Sequence, residues 1–166
     1  MTAVGAASGT SITGATGLRV TVTHNGLVAF NAPLRPCRFG CEPGDPTGAR
    51  FAELGVRDLD GDGDAEVLVD RADGFNPCCT LETAILRRNP VTGTYSELDR
   101  HWGERYTVRD LDGDGHAELV SSDLRFYQRF APRIAGFQLP VKILQLGAQG
   151  LVVAMRRERL RVWRRT

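Results

Sequence analysis

Lysine is all but missing from this chain of 166 residues: of 21 basic side chains, Lys142 is the only one that is not arginine. So strong a preference for Arg points to a GC-rich genome rather than to a functional site. Long apolar runs are missing as well. None approaches the roughly 18 residues that a membrane-spanning helix needs, so a soluble chain is expected. The segment 1–17, TAVGAASGTSITGATG after the initial Met, has neither a charged n-region nor a long apolar core, so it does not read as an intact signal peptide. It is expected to be a flexible lead-in. There is no Ser nucleophile motif, no His pair at zinc spacing and no Gly-rich phosphate loop. Catalysis is therefore not expected. His101 is the one weak candidate, and His24 reads as a surface turn residue.

Glycine and acidic residues are plentiful, and they are arranged. DLDGDGDAE runs from Asp58 to Glu66 and DLDGDGHAE from Asp110 to Glu118, each preceded by Val-Arg and followed by an apolar, strand-like run. Carboxylates at loop positions 1, 3, 5 and 9 meet at one point only if the backbone curls tightly, and Gly63 or Gly115 at position 6 permits that curl. Oxygen-only cages of this kind suit Ca²⁺, which takes about six to eight hard ligands. The expected side-chain ligands are Asp58, Asp60, Asp62 and Glu66 in one copy and Asp110, Asp112, Asp114 and Glu118 in the other. Position 7 is Asp64 or His116. A position that accepts either residue is expected to lend its backbone carbonyl, so His116 is not read as a transition-metal ligand. Bare Asp-Gly turns are the simpler alternative, but without a cation so many neighbouring carboxylates repel one another.

An EF-hand loop would end in a bidentate Glu at position 12 and lie between helices. Here position 12 is Val69 or Ser121, and the flanks GVRDL, AEVLVD, YTVRDL and AELVSS are short and rich in β-branched residues, which predicts strand, loop, strand. On these residues the chain resembles the FG-GAP or VCBS repeats of integrin-like β-propellers, whose loop D-x-D-x-D-G-x-x-[DE] joins two strands of a blade. EVLVDRADGFNPCCT also resembles secreted bacterial VCBS-repeat proteins of unassigned function. The similarity covers roughly residues 50–145.

The repeat period, 110 − 58 = 52 residues, holds about four short strands, one propeller-type blade. The expected fold is all-β: antiparallel hairpins and sheets with two propeller-blade-like repeats in a small open assembly. It would occupy one domain, 18–166, with repeats at about 52–105 and 106–166. A hairpin is predicted at Asn25-Gly26 and a second around Pro90-Val91-Thr92-Gly93. Two blades do not close a ring, so the N-terminal hairpin is expected to cap the first unit, and a monomer is preferred over an oligomer.

Cysteines fall in two clusters, Cys37 with Cys41 and Cys78 with Cys79. Adjacent cysteines are poorly placed to bond to each other, so disulfides between the clusters are expected, the first worth about 3–4 kcal/mol. A four-Cys zinc site and free thiols are the alternatives. Disulfides would imply an oxidising compartment, in line with the secreted proteins that the chain resembles. Residues 151–166 hold six Arg and one Glu, a net +5, which leaves −4 on the rest of a chain of net charge +1. That tail reads as a charged edge strand rather than a nucleic-acid site. The partner expected is an extracellular protein or a glycan. A carbohydrate-binding accessory module or carbohydrate-active enzyme, with Trp102 and Tyr106 facing a sugar, is the alternative function.

Overall fold

The computed structural model describes residues 2–5, 8–13, 19–35, 49–73, 81–103, 105–126 and 139–154. Twelve strands form three four-stranded antiparallel sheets. The first holds β1 (Thr2–Gly5), β2 (Ser8–Thr13), β3 (Arg19–His24) and β4 (Leu27–Pro33). The second holds β5 (Ala49–Arg57), β6 (Glu66–Asp73), β7 (Leu81–Arg88) and β8 (Tyr95–Gly103). The third holds β9 (Thr107–Arg109), β10 (Glu118–Ser122), β11 (Val141–Gly147) and β12 (Gly150–Val153), with a 3₁₀ turn at Leu124–Phe126. Each strand pairs with its neighbour in sequence, so every sheet is a simple meander. Among the described residues there is no α-helix and no closed barrel. The fold is all-β and antiparallel, as the sequence predicts.

The N-terminal region differs from expectation. The segment read as a flexible lead-in supplies β1 and β2, which extend the β3–β4 hairpin into the four-stranded first sheet. Its strands carry Thr, Val and Ile among small residues, and no acidic loop marks them as a repeat. The hairpin itself turns where predicted: Asn25 and Gly26 both have positive φ, 52° and 77°, as a tight two-residue connection requires.

The second sheet lies between the other two and is covered on both faces. Alternation along its strands divides the core. Val67, Val69, Ala84 and Leu86 pack with Val20, Val22 and Leu34 of the first sheet region. Leu68, Leu81, Ile85 and Trp102 pack with Leu119, Leu144 and Leu146 of the third. Doubly covered strands carry apolar residues at successive positions rather than alternating, which explains the runs EVLV and TAIL. The charged end of β6 is handled by pairing: Arg71, buried on the face toward the first sheet, donates to Glu82 and Asp99, each at 2.9 Å, and to the Arg35 carbonyl.

Two parts of the sequence reading fall outside the described residues: the four cysteines and the Arg-rich tail beyond residue 154.

Candidate metal centre

Each acidic stretch forms the loop between the first two strands of its sheet, β5–β6 or β9–β10. The curl is built by the loop's own first carboxylate. Asp58 Oδ1 accepts from the Gly61 N–H at 2.7 Å and Oδ2 from the Gly63 N–H at 2.9 Å. Asp110 does the same with Gly113 at 2.7 Å and Gly115 at 3.1 Å. At position 5, Asp62 accepts from Asp64 N–H at 2.8 Å, and Asp114 from His116 N–H at 3.0 Å. All four loop glycines have positive φ, between 71° and 89°, a region in which a Cβ is strained. Local hydrogen bonding and the glycines together force the carboxylates to one side.

The acid at position 9 closes each loop from behind. Glu66 Oε2 accepts from Leu59 N–H at 2.9 Å and Glu118 Oε2 from Leu111 N–H at 2.8 Å. Both carboxylates are buried, at 1% and 2% exposure. Burial pushes the Glu66 carboxyl up to about 7, with Asp60 and Asp62 adding to the rise and the Leu59 N–H and Arg87 opposing it.

The two loops gather different sets. In the first, carboxylate oxygens of Asp58, Asp60 and Asp62 lie within 4.8 Å of one another; in the second, Asp110, Asp112 and Glu118 do. Glu66 and Asp114 lie outside these clusters. Asp64 points its side chain at Arg88 Nη1, 2.7 Å away, and is not part of the cluster, which fits the backbone role expected at position 7. His116 belongs to neither cluster. Asp60 is the most telling member. Its side chain is 8% exposed; Oδ2 is ion-paired with Arg87, and Oδ1 is buried without a hydrogen-bond donor. A buried carboxylate oxygen with no donor is costly. A cation held by the cluster is what would satisfy it, and the two acidic clusters can hold a metal ion.

The loops also touch. Ala117 N–H donates to the Leu59 carbonyl at 2.9 Å, and a Cβ placed on Gly61 would meet the Gly115 carbonyl oxygen at 3.0 Å. Leu59, fully buried, roots the first loop in the core shared by the second and third sheets. Arg87 extends the same junction, since its Nη1 reaches the Gly147 carbonyl at the β11–β12 turn at 2.9 Å.

Sequence reasoning did not find Arg87 or Arg88. The signal lies in register: Val67 pairs with Leu86, so the two arginines that end β7 stand beside the C-terminal end of the acidic loop. The aromatic residues considered for sugar stacking are committed elsewhere. Trp102 is 2% exposed, stacks on Tyr106 at 4.5 Å between centroids and donates to Thr83 Oγ1 at 2.8 Å. The Tyr106 hydroxyl donates to Asp70 at 3.0 Å. His101 lines a cleft between the second and third sheets, away from the acidic loops. No family model, curated protein or solved structure matches this chain.

Proposed function

We propose that this protein is an extracellular calcium-binding β-repeat module of the FG-GAP or VCBS kind, with a structural and recognition role and without catalysis. The observation that carries the proposal is the buried, donorless Asp60 oxygen within a cluster of three carboxylates, in a loop whose hydrogen bonds recur 52 residues later (110 − 58). Calcium is favoured by the chemistry of the donors. Both clusters offer oxygen alone, mostly from loop residues, which suits a large hard cation of variable coordination better than Zn²⁺ or Mg²⁺.

Asp58, Asp60 and Asp62 would hold the ion in the first loop with the Asp64 carbonyl, and Asp110, Asp112 and Glu118 in the second. A bound dication neutralises the mutual repulsion of these carboxylates. The chain's own residues then fix the junction: Leu59 packs into the shared core and accepts from Ala117, and Arg87 ties the first loop to the β11–β12 turn. Outer-surface residues of the sheets are thereby held in place for an extracellular protein or glycan partner. Affinity of about 10⁻⁴–10⁻³ M, usual for extracellular modules, suffices for a structural role.

Thermal unfolding in millimolar calcium and in excess chelator tests the proposal. A rise in Tm of several degrees with calcium is expected, because stability grows as RT ln(1 + [Ca²⁺]/Kd). Asp60→Ala and Asp112→Ala should each remove part of it. An unchanged Tm would reduce both loops to turns.

A further inference from the structure

The cleft that contains His101 has a volume of about 290 Å³ and opens between β8 and the β10–β11 side of the third sheet. Its walls carry three cations, Arg100, Arg125 and Lys142, and two carboxylates, Asp99 and Asp123. The carboxylates are already engaged. Asp123 accepts from Arg125 Nε at 2.9 and 3.0 Å and from its backbone N–H at 3.1 Å. Asp99 is shared by Arg71 at 2.9 Å and Arg35 at 3.1 Å.

Arg100 and Lys142 are left over. Among the described residues neither is ion-paired, and the Arg100 Nε is buried with no acceptor. Arg100 instead lies over the Trp102 ring, 5.5 Å from its centroid. Burial lowers the pKa of both groups; for Lys142 the nearby Arg100 charge adds to the effect, and Asp123 opposes it for both. Asp123 offsets part of that repulsion but is held by Arg125, so two like charges partly stripped of water and facing one space still favour a further anion. Nothing in the core or the acidic loops calls for such a pair.

The donors come from different sheets: a guanidinium from β8 and an ammonium from β11. A planar carboxylate is served by one guanidinium fork. Donors that reach in from two sheets suit an anion whose oxygens point in several directions. A volume near the small end of ligand sites further implies a small molecule. We propose that this cleft binds a tetrahedral oxyanion, phosphate or sulfate, as the free ion or as the monoester of a small alcohol, through Arg100 and Lys142. The site is independent of the acidic loops.

Calorimetric titration of the full chain tests this, with inorganic phosphate added in excess chelator and inorganic sulfate in millimolar calcium. Binding is expected with both, weakened about tenfold or more by Lys142→Gln and by Arg100→Gln, the loss expected for one charge-assisted hydrogen bond. Thermal unfolding of each variant establishes that it is folded; should Arg100→Gln fail, Lys142→Gln decides alone. Asp112→Ala should leave oxyanion affinity unchanged, which separates failure of this proposal from failure of the metal reading. Tighter binding of glycerol 3-phosphate than of inorganic phosphate would identify a monoester as the ligand, and equal binding the free ion. The proposal is overturned if no oxyanion binds up to about 10 mM, if acetate binds as well as phosphate, or if folded Lys142→Gln retains full affinity, which would assign the binding to another basic surface such as the C-terminal arginines.

Discussion

The first and second acidic loops make the same hydrogen bonds from positions 1, 5 and 9, yet they sit in different electrostatic surroundings. Asp58 to Glu66 contains five carboxylates and faces Arg87 and Arg88, which pair with Asp60 and Asp64. Asp110 to Glu118 contains four, and β11 places Gln145 opposite Glu118, where β7 brings Arg87 beside Glu66. The comparison separates two tasks that one motif can carry. Backbone geometry comes from the motif itself. Whether a loop is also a joint between sheets depends on what the neighbouring strand brings to it, and the first loop is tied by Arg87 to the turn of another sheet.

Removing that arginine should break the difference most visibly. Arg87→Met leaves the Asp60 carboxylate buried without its cation and deprives the Gly147 and Ala148 carbonyls of a donor. In excess chelator the expected loss is about 4 kcal/mol by urea unfolding, in the range for one partner removed from a buried ion pair. Gln145→Met, beside the second loop, should cost less than about 1 kcal/mol. Equal losses would mean that Arg87 is no more than a surface contact.

A pH profile in chelator probes the same contrast with a slightly smaller effect. The Glu66 carboxyl is raised from 4.5 to about 7 in the folded protein. Between those values the folded state holds the proton that the unfolded state has released, so stability falls as pH rises through the window and is greatest below it. The fall is about 3 kcal/mol at most. Glu66→Gln keeps an acceptor for the Leu59 N–H and should flatten the profile, whereas Glu118→Gln should leave the Glu66 contribution in place. A slope unchanged by Glu66→Gln would place the titrating group elsewhere.

Much of this was legible in the sequence, but unevenly. The loops, their flanking strands, the four strands of each acidic repeat and the Asn25-Gly26 turn are local features, fixed by glycine φ, Asp capping and β-branched runs within a few residues. β1 and β2 were missed because short strands of Ala, Gly, Ser and Thr alternate too little to stand out from a linker. Arg87 was missed for another reason. Its pairing with Asp60 spans 27 residues and depends on the β6–β7 register, as the meeting of Arg100 and Lys142 depends on how two sheets pack. Composition can announce a metal loop; it does not announce which strand end will stand beside it.

Substituting the position-4 glycines separates loop conformation from loop contact. Gly61 and Gly113 have nearly the same φ, 71° and 77°. A Cβ on Gly61 would meet the Gly115 carbonyl oxygen at 3.0 Å, whereas on Gly113 it would meet nothing within 4 Å. Gly113→Ala should therefore cost only the left-handed strain, about 1 kcal/mol. Gly61→Ala should cost about 1 kcal/mol more, because one loop must move off the other. Matching values in urea titrations would show that the loops do not press on each other in solution.

The smallest effect on stability belongs to Asp112, and its smallness is informative. Asp112 is exposed, unlike its counterpart Asp60, so Asp112→Asn should change stability in chelator by no more than about 0.5 kcal/mol, as most surface substitutions do. The same variant removes a full negative charge from the cluster of Asp110, Asp112 and Glu118. Its penalty should therefore appear only when calcium is present, as a smaller rise in Tm than the unsubstituted chain shows. A residue that is silent without metal and costly with it is a ligand. One that is costly in both conditions is part of the scaffold, which is the behaviour expected of Asp60, with one oxygen on Arg87 and the other buried without a donor.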